Sequence, residues 1–259
     1  MTLAFVKYEG LGNDFVVLSA APDALGAEAA RRLCDRHLGV GADGVLVVAP
    51  PTAGGDARMI VLNADGSRPE MCGNGLRCVA AFVAAERGAR ALVIETDAGP
   101  TRCVVGADGA VEIEMGRAIA EGAVELEIAG ERLTLARVSM GNPHAITFEP
   151  FPAFHALGLA VATHAAFPDG TNFEVARVVG PREIEVVVWE RGVGPTLACG
   201  TGACAVAVEA CRSGRAPFDA AITVRLPGGA LQITVSPSLD VSMRGPARRV
   251  FRGELDLGR

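Results

Sequence analysis

Glu70-Met71-Cys72-Gly73-Asn74-Gly75 runs directly into Leu76–Glu86, a segment apolar almost all round (Leu76, Cys78, Val79, Ala80, Ala81, Phe82, Val83). A segment of that kind reads as a buried helix, with Cys72 at its start. The second half of the chain repeats the design. Leu197-Ala198-Cys199-Gly200-Thr201-Gly202 leads into Ala203–Cys211, where small residues let a sheet wrap the helix closely. The two cysteines stand 127 residues apart, nearly half of the 259-residue chain. A self-similarity of this length is the sequence signature of a repeated architecture.

Other landmarks keep nearly the same offset. Asn63 lies nine residues before Cys72 and ends the strand Met59–Leu62; Glu190 lies nine before Cys199 and ends the strand Val186–Trp189. Gly10-Leu11-Gly12-Asn13-Asp14-Phe15 is similar to Ser139-Met140-Gly141-Asn142-Pro143-His144, and Gly44 falls opposite Thr171, beside Asn172. The short apolar runs 3–7, 15–18, 45–48, 59–62, 92–95, 102–105 and 111–114 predict strands, as do 133–139, 145–148, 173–178, 183–189, 221–225, 230–235 and 240–244. Ala27–Arg36 predicts a surface helix, and Gly116–Gly122 reads as the linker. The class is α/β (α+β), built from two related half-chains.

A thiol at the first turn of a helix faces unpaired N–H groups and the positive end of the helix dipole. That setting favours thiolate. Two such thiols, built alike, suggest an acid and a base working from opposite sides of one substrate. A redox pair is the other functional reading, which the absence of C-x-x-C disfavours. Cys34, Cys78, Cys103, Cys204 and Cys211 lie within apolar runs without the glycine turn and read as small buried hydrophobes. Asn13, Asn63, Asn74, Asn142 and Asn172 recur at strand ends and around both cysteine turns. There they would hydrogen-bond a small polar ligand without adding charge. Arg191 suits a carboxylate, and His144 suits a donor lining the site.

Several classes are excluded. A formal net charge of −6, with no Lys/Arg run, argues against nucleic acid or an anionic membrane as partner. The first residues lack a signal-peptide pattern, and no stretch is apolar for long enough to span a bilayer. Seven cysteines, an odd number, fit free thiols in a reducing cytoplasm better than a disulfide framework. Four scattered histidines give a metal site little support. Gly39-Val40-Gly41-Ala42-Asp43-Gly44 matches G-x-G-x-x-G, but a helix precedes it and a strand follows, the reverse of the dinucleotide arrangement. Lys7 is the only lysine, and pyridoxal phosphate chemistry needs one for its Schiff base. No cofactor is expected.

These residues together resemble the diaminopimelate epimerases. The resemblance runs through the Gly-Leu-Gly-Asn-Asp-Phe motif, Asn63-Ala64-Asp65-Gly66-Ser67, both cysteine motifs, Gly141-Asn142-Pro143-His144, Thr171-Asn172-Phe173, Trp189-Glu190-Arg191-Gly192 and the ending Gly245-Pro246-Ala247. It implies two pseudo-symmetric domains, residues 1–117 completed by 247–259 and residues 118–246. Each would be a curved, mostly antiparallel sheet around a central helix, with the active site between them. It also implies a homodimer that interconverts LL- and meso-2,6-diaminopimelate without pyridoxal phosphate. Cys72 and Cys199 would be the acid/base pair. Asn13, Asn63, Asn142, Asn172 and Arg191 would hold the substrate, and backbone of Gly73-Asn74 and Gly200-Thr201 would receive its reacting carboxylate. His144 and Glu190 would tune the site. Gly44 stands where some members carry a substrate-touching glutamine, so that contact is lost or made by backbone. Glu9 replaces a histidine often found there. A racemase of proline, hydroxyproline or histidine shares the chemistry; a non-catalytic amino-acid-binding or thiol-sensing protein is the alternative from another class.

Overall fold

A computed structural model describes residues 2–256. The chain runs β1 (Thr2–Gly10), β2 (Asn13–Ser19), α1 (Ala27–Cys34), β3 (Gly44–Ala49), β4 (Ala57–Asn63), α2 (Gly73–Arg87), β5 (Ala91–Thr96), β6 (Gly99–Val105) and β7 (Val111–Arg117). It continues through β8 (Ile119–Ile128), β9 (Glu131–Ser139), β10 (Pro143–Thr147), α3 (Phe154–Ala162), β11 (Asn172–Gly180), β12 (Glu183–Glu190), β13 (Gly194–Thr196), α4 (Gly200–Arg212), β14 (Ile222–Leu226), β15 (Gly229–Val235), β16 (Asp240–Gly245) and β17 (Arg248–Asp256). Two compact units result: one holds the residues up to Glu114 with those from Gly245 onward, the other Met115–Arg244.

Both units are strung alike. In the first, β17, β1 and β2 pair antiparallel, β2–β3 parallel, β3–β4 antiparallel, β4–β5 parallel, and β5–β6–β7 antiparallel. In the second, β8–β9–β10 are antiparallel, β10–β11 parallel, β11–β12 antiparallel, β12–β14 parallel, and β14–β15–β16 antiparallel. The half-chain repeat of the sequence is thus a repeat of topology. The first-unit sheet packs on α2 and the second-unit sheet on α4.

The helices can sit inside a sheet because of their composition. Leu76, Cys78, Val79, Ala80, Phe82 and Val83 of α2 are all buried, and so is every residue of α4 from Gly202 to Val208. The opposite sheet faces carry the short helices. Ala30, Leu33 and Cys34 of α1 join Leu3, Val16, Leu18, Val45 and Ile60 in one core, while Phe154 and Val161 of α3 join Leu135, Phe151 and Phe173 in another. Strands covered on both faces read as continuous apolar runs, which is why β2 and β3 were legible.

Three sequence expectations need correction. The predicted helix 27–36 stops at Cys34, because Asp35 turns to ψ 122° and its carboxylate accepts from the N–H groups of His37 and Leu38, both at 2.8 Å. Gly116–Gly122, expected as the linker, follows closely on the boundary between the units at Glu114 and Met115 but is built of strand: β7 and β8 run through it with only Ala118 between them. Gly116 and Gly122 adopt positive φ there, and Gly122 adjoins a bulge. Helix α3 and strands β8, β13 and β17 were not anticipated as such.

One surface segment is clamped by a single carboxylate. Glu95 accepts from Thr52 N (2.7 Å), Thr52 Oγ1 (3.0 Å), Ala53 N (2.6 Å) and Gly55 N (3.0 Å). Backbone donation from Thr52 and Gly55 holds its carboxyl down at about 2, from 4.5. The folded state therefore prefers ionised Glu95. Its stabilisation is intact above the unfolded value and disappears as pH falls from there through about 2. We expect Glu95→Gln to lower the urea midpoint at about pH 7 and to leave it nearly unchanged at about pH 2. Equal losses at both pH values would contradict the clamp.

Candidate active site

Two similar clusters, one in each unit, contain the residues singled out by sequence. In the first unit Cys72 is the N-cap of α2, with φ −141° and ψ 107°, and its Sγ accepts from Gly75 N at 3.4 Å. Cysteine here occupies the capping role that serine or aspartate usually fills. The turn needs glycine at Gly75, where a Cβ would lie 2.9 Å from Leu46 Cδ2 and 3.4 Å from the Cys72 sulfur.

Asn13, Gly44 and Asn63 come together at one end of neighbouring strands: Phe15, two residues after Asn13, pairs with Gly44, and Gly44 pairs with Asn63. Asn13 is fixed from both sides. Its Nδ2 donates to Asp43 Oδ2 at 2.8 Å, and its Oδ1 accepts from Asn74 Nδ2 at 3.3 Å. Asn74 Oδ1 in turn accepts from buried Arg77 Nη2 at 2.9 Å. Asn63 bonds Ser67 Oγ at 2.9 Å. Behind Asn13 lies an ionic cluster that sequence reading missed. Arg36 bridges Asp14 and Asp43 at 2.8 Å each, and Lys7, buried, pairs with Asp14 at 2.5 Å and donates to Gly41 O. Burial works to raise the Asp14 carboxyl, but bonds from Arg36 and Lys7 outweigh it and hold it low.

In the second unit Cys199 caps α4 with φ −120° and ψ 110°, its Sγ accepting from Gly202 N at the same 3.4 Å. The correspondence extends outward. Asn142 Nδ2 donates to Thr201 Oγ1 at 3.2 Å, so in each unit the Gly-Asn turn asparagine bonds the residue two past the cysteine. Gly12 and Gly141, preceding those asparagines, share positive φ of 81° and 93°.

The surroundings of the two cysteines nevertheless differ. Cys72 is half-buried and Cys199 is buried. Glu190, at the end of β12, accepts from Thr196 Oγ1 at 2.5 Å and lies close enough for its charge to act on Cys199. Burial raises the Glu190 carboxyl. His144 Nδ1 meets Glu174 Oε1 at 2.7 Å with both side chains fully buried, and burial raises the Glu174 carboxyl too. Burial first, then the nearby Glu190 and Glu174, pushes the Cys199 thiol well above the ordinary thiol range. The expectation that the helix terminus favours thiolate is therefore corrected at Cys199: desolvation and two carboxyls outweigh the dipole. Burial also pushes Cys34 and Cys211 up to about 11, and Cys78 and Cys103 up to about 12.

Asn172 spends its amide on the fold. Nδ2 donates to Pro143 O at 2.9 Å and Oδ1 accepts from Arg191 N at 3.0 Å, which sets the start of the Arg191 loop. The Arg191 guanidinium is largely exposed and donates to Asp169 O at 2.8 Å. Glu9 accepts from Gly12 N at 3.1 Å and pairs with Arg248. Among the described residues, no group of three His, Cys, Asp or Glu is placed to hold a metal, and no helix is long and apolar enough to cross a membrane.

Comparison with known proteins first defines the class. The fold is shared with a hydroxyproline epimerase from Agrobacterium vitis, with TM-score 0.75 and 14% identity over 99% of this chain and 93% of that one. The diaminopimelate epimerase family profile matches residues 5–120 and 136–250. A diaminopimelate epimerase from Desulforudis audaxviator is 47% identical over 97% of this chain and 99% of its own length. One from Acaryochloris marina is 41% identical over the full length of both. The chain belongs to the diaminopimelate epimerase family.

Proposed function

We propose that the chain is a cofactor-independent isomerase interconverting LL- and meso-2,6-diaminopimelate, with Cys72 and Cys199 as its acid/base pair. The observation that carries this reading is the matched pair of cysteine-capped helices in a chain of this family. Inversion at an amino-acid Cα removes a weakly acidic proton from one face and returns one to the other. One thiolate abstracts and one thiol donates, and the roles exchange with reaction direction. This is general acid–base catalysis.

The charge released from Cα spreads into the adjoining carboxylate. Backbone N–H groups at the starts of α2 and α4, those of Gly73-Asn74 and Gly200-Thr201, receive it as an oxyanion hole would. Burial and the two nearby carboxyls favour the protonated form of Cys199, which suits it to the donor role. Asn13, Gly44, Asn63 and Asn142 line the two half-sites, and Arg191, braced by Asn172, takes the carboxylate of the substrate's distal end. His144 and Glu190 set the polarity around Cys199. Engagement of Lys7, the only lysine, with Asp14 and Gly41 supports chemistry without a Schiff base.

Purified protein free of pyridoxal phosphate, kept reduced, should convert LL-diaminopimelate to the meso isomer and leave proline and trans-4-hydroxyproline unchanged. Turnover of proline alone would move the assignment to another racemase; turnover of none of them would overturn it. We further infer a cytoplasmic homodimer, for which sedimentation should give twice the 26.6 kDa chain mass.

A further inference from the structure

Glu174 is not among the residues the chemistry singles out, yet its placement is unusual. It lies on β11 opposite Ile146 of β10, two residues beyond the pair His144–Asn172, so that it and His144 project from the same sheet face. Both side chains are fully buried. Glu174 Oε2 has no hydrogen-bond partner among the described residues. A buried carboxylate costs several kcal/mol unless it is well satisfied, and an apolar residue would fill the same space without that cost. The neighbouring helix start also makes room for it: a Cβ on Gly202 would lie 2.7 Å from Glu174 Oε1.

From Glu174 a continuous series of side-chain bonds leads to the catalytic sulfur. Glu174 Oε1 meets His144 Nδ1 at 2.7 Å, His144 Nε2 meets Asn142 Oδ1 at 3.1 Å, Asn142 Nδ2 meets Thr201 Oγ1 at 3.2 Å, and Thr201 Oγ1 meets Cys199 Sγ at 3.5 Å. The series has one polarity. Both ring nitrogens of His144 face acceptor oxygens, so Nε2 carries a hydrogen and a second lies on the Nδ1–Oε1 bond. Asn142 accepts with Oδ1 and donates with Nδ2. Thr201 oxygen accepts that bond, which leaves its own hydrogen for the sulfur.

We propose that Glu174 is a positioning residue that, through His144, Asn142 and Thr201, aims the Thr201 hydroxyl as a donor at Cys199 Sγ. The proposal rests on Cys199 being an acid/base group. When Cys199 gives up its proton, the hydrogen shared by Glu174 and His144 moves onto Nδ1. The imidazolium so formed strengthens each bond down the relay, as charge assistance does. No proton enters or leaves the relay. The carboxyls that oppose thiolate formation at Cys199 are Glu190, from the end of β12, and Glu174, from β11; the positive charge on His144 of β10, bonded to Glu174, counters them.

Two measurements test it. In wild-type protein labelled with 15N-histidine, His144 should carry a hydrogen on Nε2, which faces Asn142 Oδ1; an unprotonated Nε2 would overturn the relay. In Glu174→Gln the shared hydrogen is lost while the size is kept. Iodoacetamide should then alkylate Cys199 about tenfold more slowly at each pH, the difference between a charge-assisted and a neutral bond, and Cys72 at an unchanged rate. Removal of a nearby negative charge alone would have the opposite sign and speed Cys199 alkylation. Unchanged or faster alkylation of Cys199 therefore contradicts the proposal. Should Glu174→Gln fail to fold, the wild-type spectrum decides. Neither readout depends on turnover, so failure here leaves the epimerase assignment standing.

Discussion

Cys72→Ala and Cys199→Ala should each lower kcat by about 10²–10⁴-fold, the usual contribution of a positioned acid or base. Stability should change far less. Each sulfur accepts one helix N–H, from Gly75 or Gly202, and loss of an N-cap costs about 0.5–2 kcal/mol. Serine separates the two roles. Its hydroxyl is a better cap than a thiol, so Cys72→Ser and Cys199→Ser should keep or raise the melting temperature. Its proton is far less acidic, so both should remain as inactive as the alanine variants. Steady-state kinetics in both directions beside thermal melts reads both quantities. Retention of wild-type kcat by any of the four would remove that cysteine from the reaction.

Arg77→Ala should be the most destabilising single change near the Cys72 cluster. The Arg77 side chain is fully buried inside the wrapped helix α2, and Nε donates to Pro246 O at 3.1 Å while Nη2 donates to Asn74 Oδ1 at 2.9 Å. Truncation leaves Asn74 Oδ1 buried without that donor, at about 1–3 kcal/mol, removes the part-buried bond to Pro246 O, and opens a cavity where a long side chain lay. A loss of about 3–5 kcal/mol in urea unfolding is expected. Pro246 precedes β17, so the variant should also loosen the pairing of β17 with β1, visible as faster amide exchange in both strands. Arg77 holds Asn74, and Asn74 holds Asn13, so KM should rise as well. A change below about 1 kcal/mol would show that the guanidinium is dispensable there.

What the sequence made visible, and what it hid, follows from the range of the interactions. Helices α2 and α4 were legible because each couples a local turn signal, Cys-Gly-X-Gly, to a segment apolar on every side. The repeat was legible because Asn13 and Asn142, Asn63 and Glu190, and the two cysteines keep fixed offsets. Helix α3 was hidden because Phe-His-Ala-Leu-Gly-Leu-Ala-Val-Ala has neither a polar face nor a capping side chain at its start. Strand β17 was hidden because Arg248-Arg249-Val250-Phe251-Arg252 looks like a charged tail, and its partner β1 lies at the other end of the chain. Strand β8 did carry a signal, the alternation Val124-Glu125-Leu126-Glu127-Ile128, masked by the glycines that marked it as a linker.

The site shows the same division. The residues proposed to carry chemistry announce themselves in motifs, whereas those that hold them do not. Glu174 sits in Asn-Phe-Glu-Val-Ala like any solvent-facing strand residue, and its buried bond to His144, 30 residues away, arises only in the fold. Asp43 lies inside a glycine turn whose nucleotide-like pattern is incidental, and its work is to hold Asn13. The raised Cys199 belongs to this second group. A helix N-terminus is a local feature, but the burial and the carboxyls that oppose it arrive through folding.

The most direct test of the two-cysteine account is isotope uptake during the first turnovers in D2O. Starting from LL-diaminopimelate, the meso product should carry solvent deuterium at the inverted Cα from the outset, because the donating thiol has exchanged with solvent. The remaining LL substrate should stay protonated at early times, because the abstracting thiolate keeps the proton it took. Equal early labelling of substrate and product would mean one base serving both faces, and product without deuterium would mean that no solvent-exchanged thiol donates; either result would contradict the account.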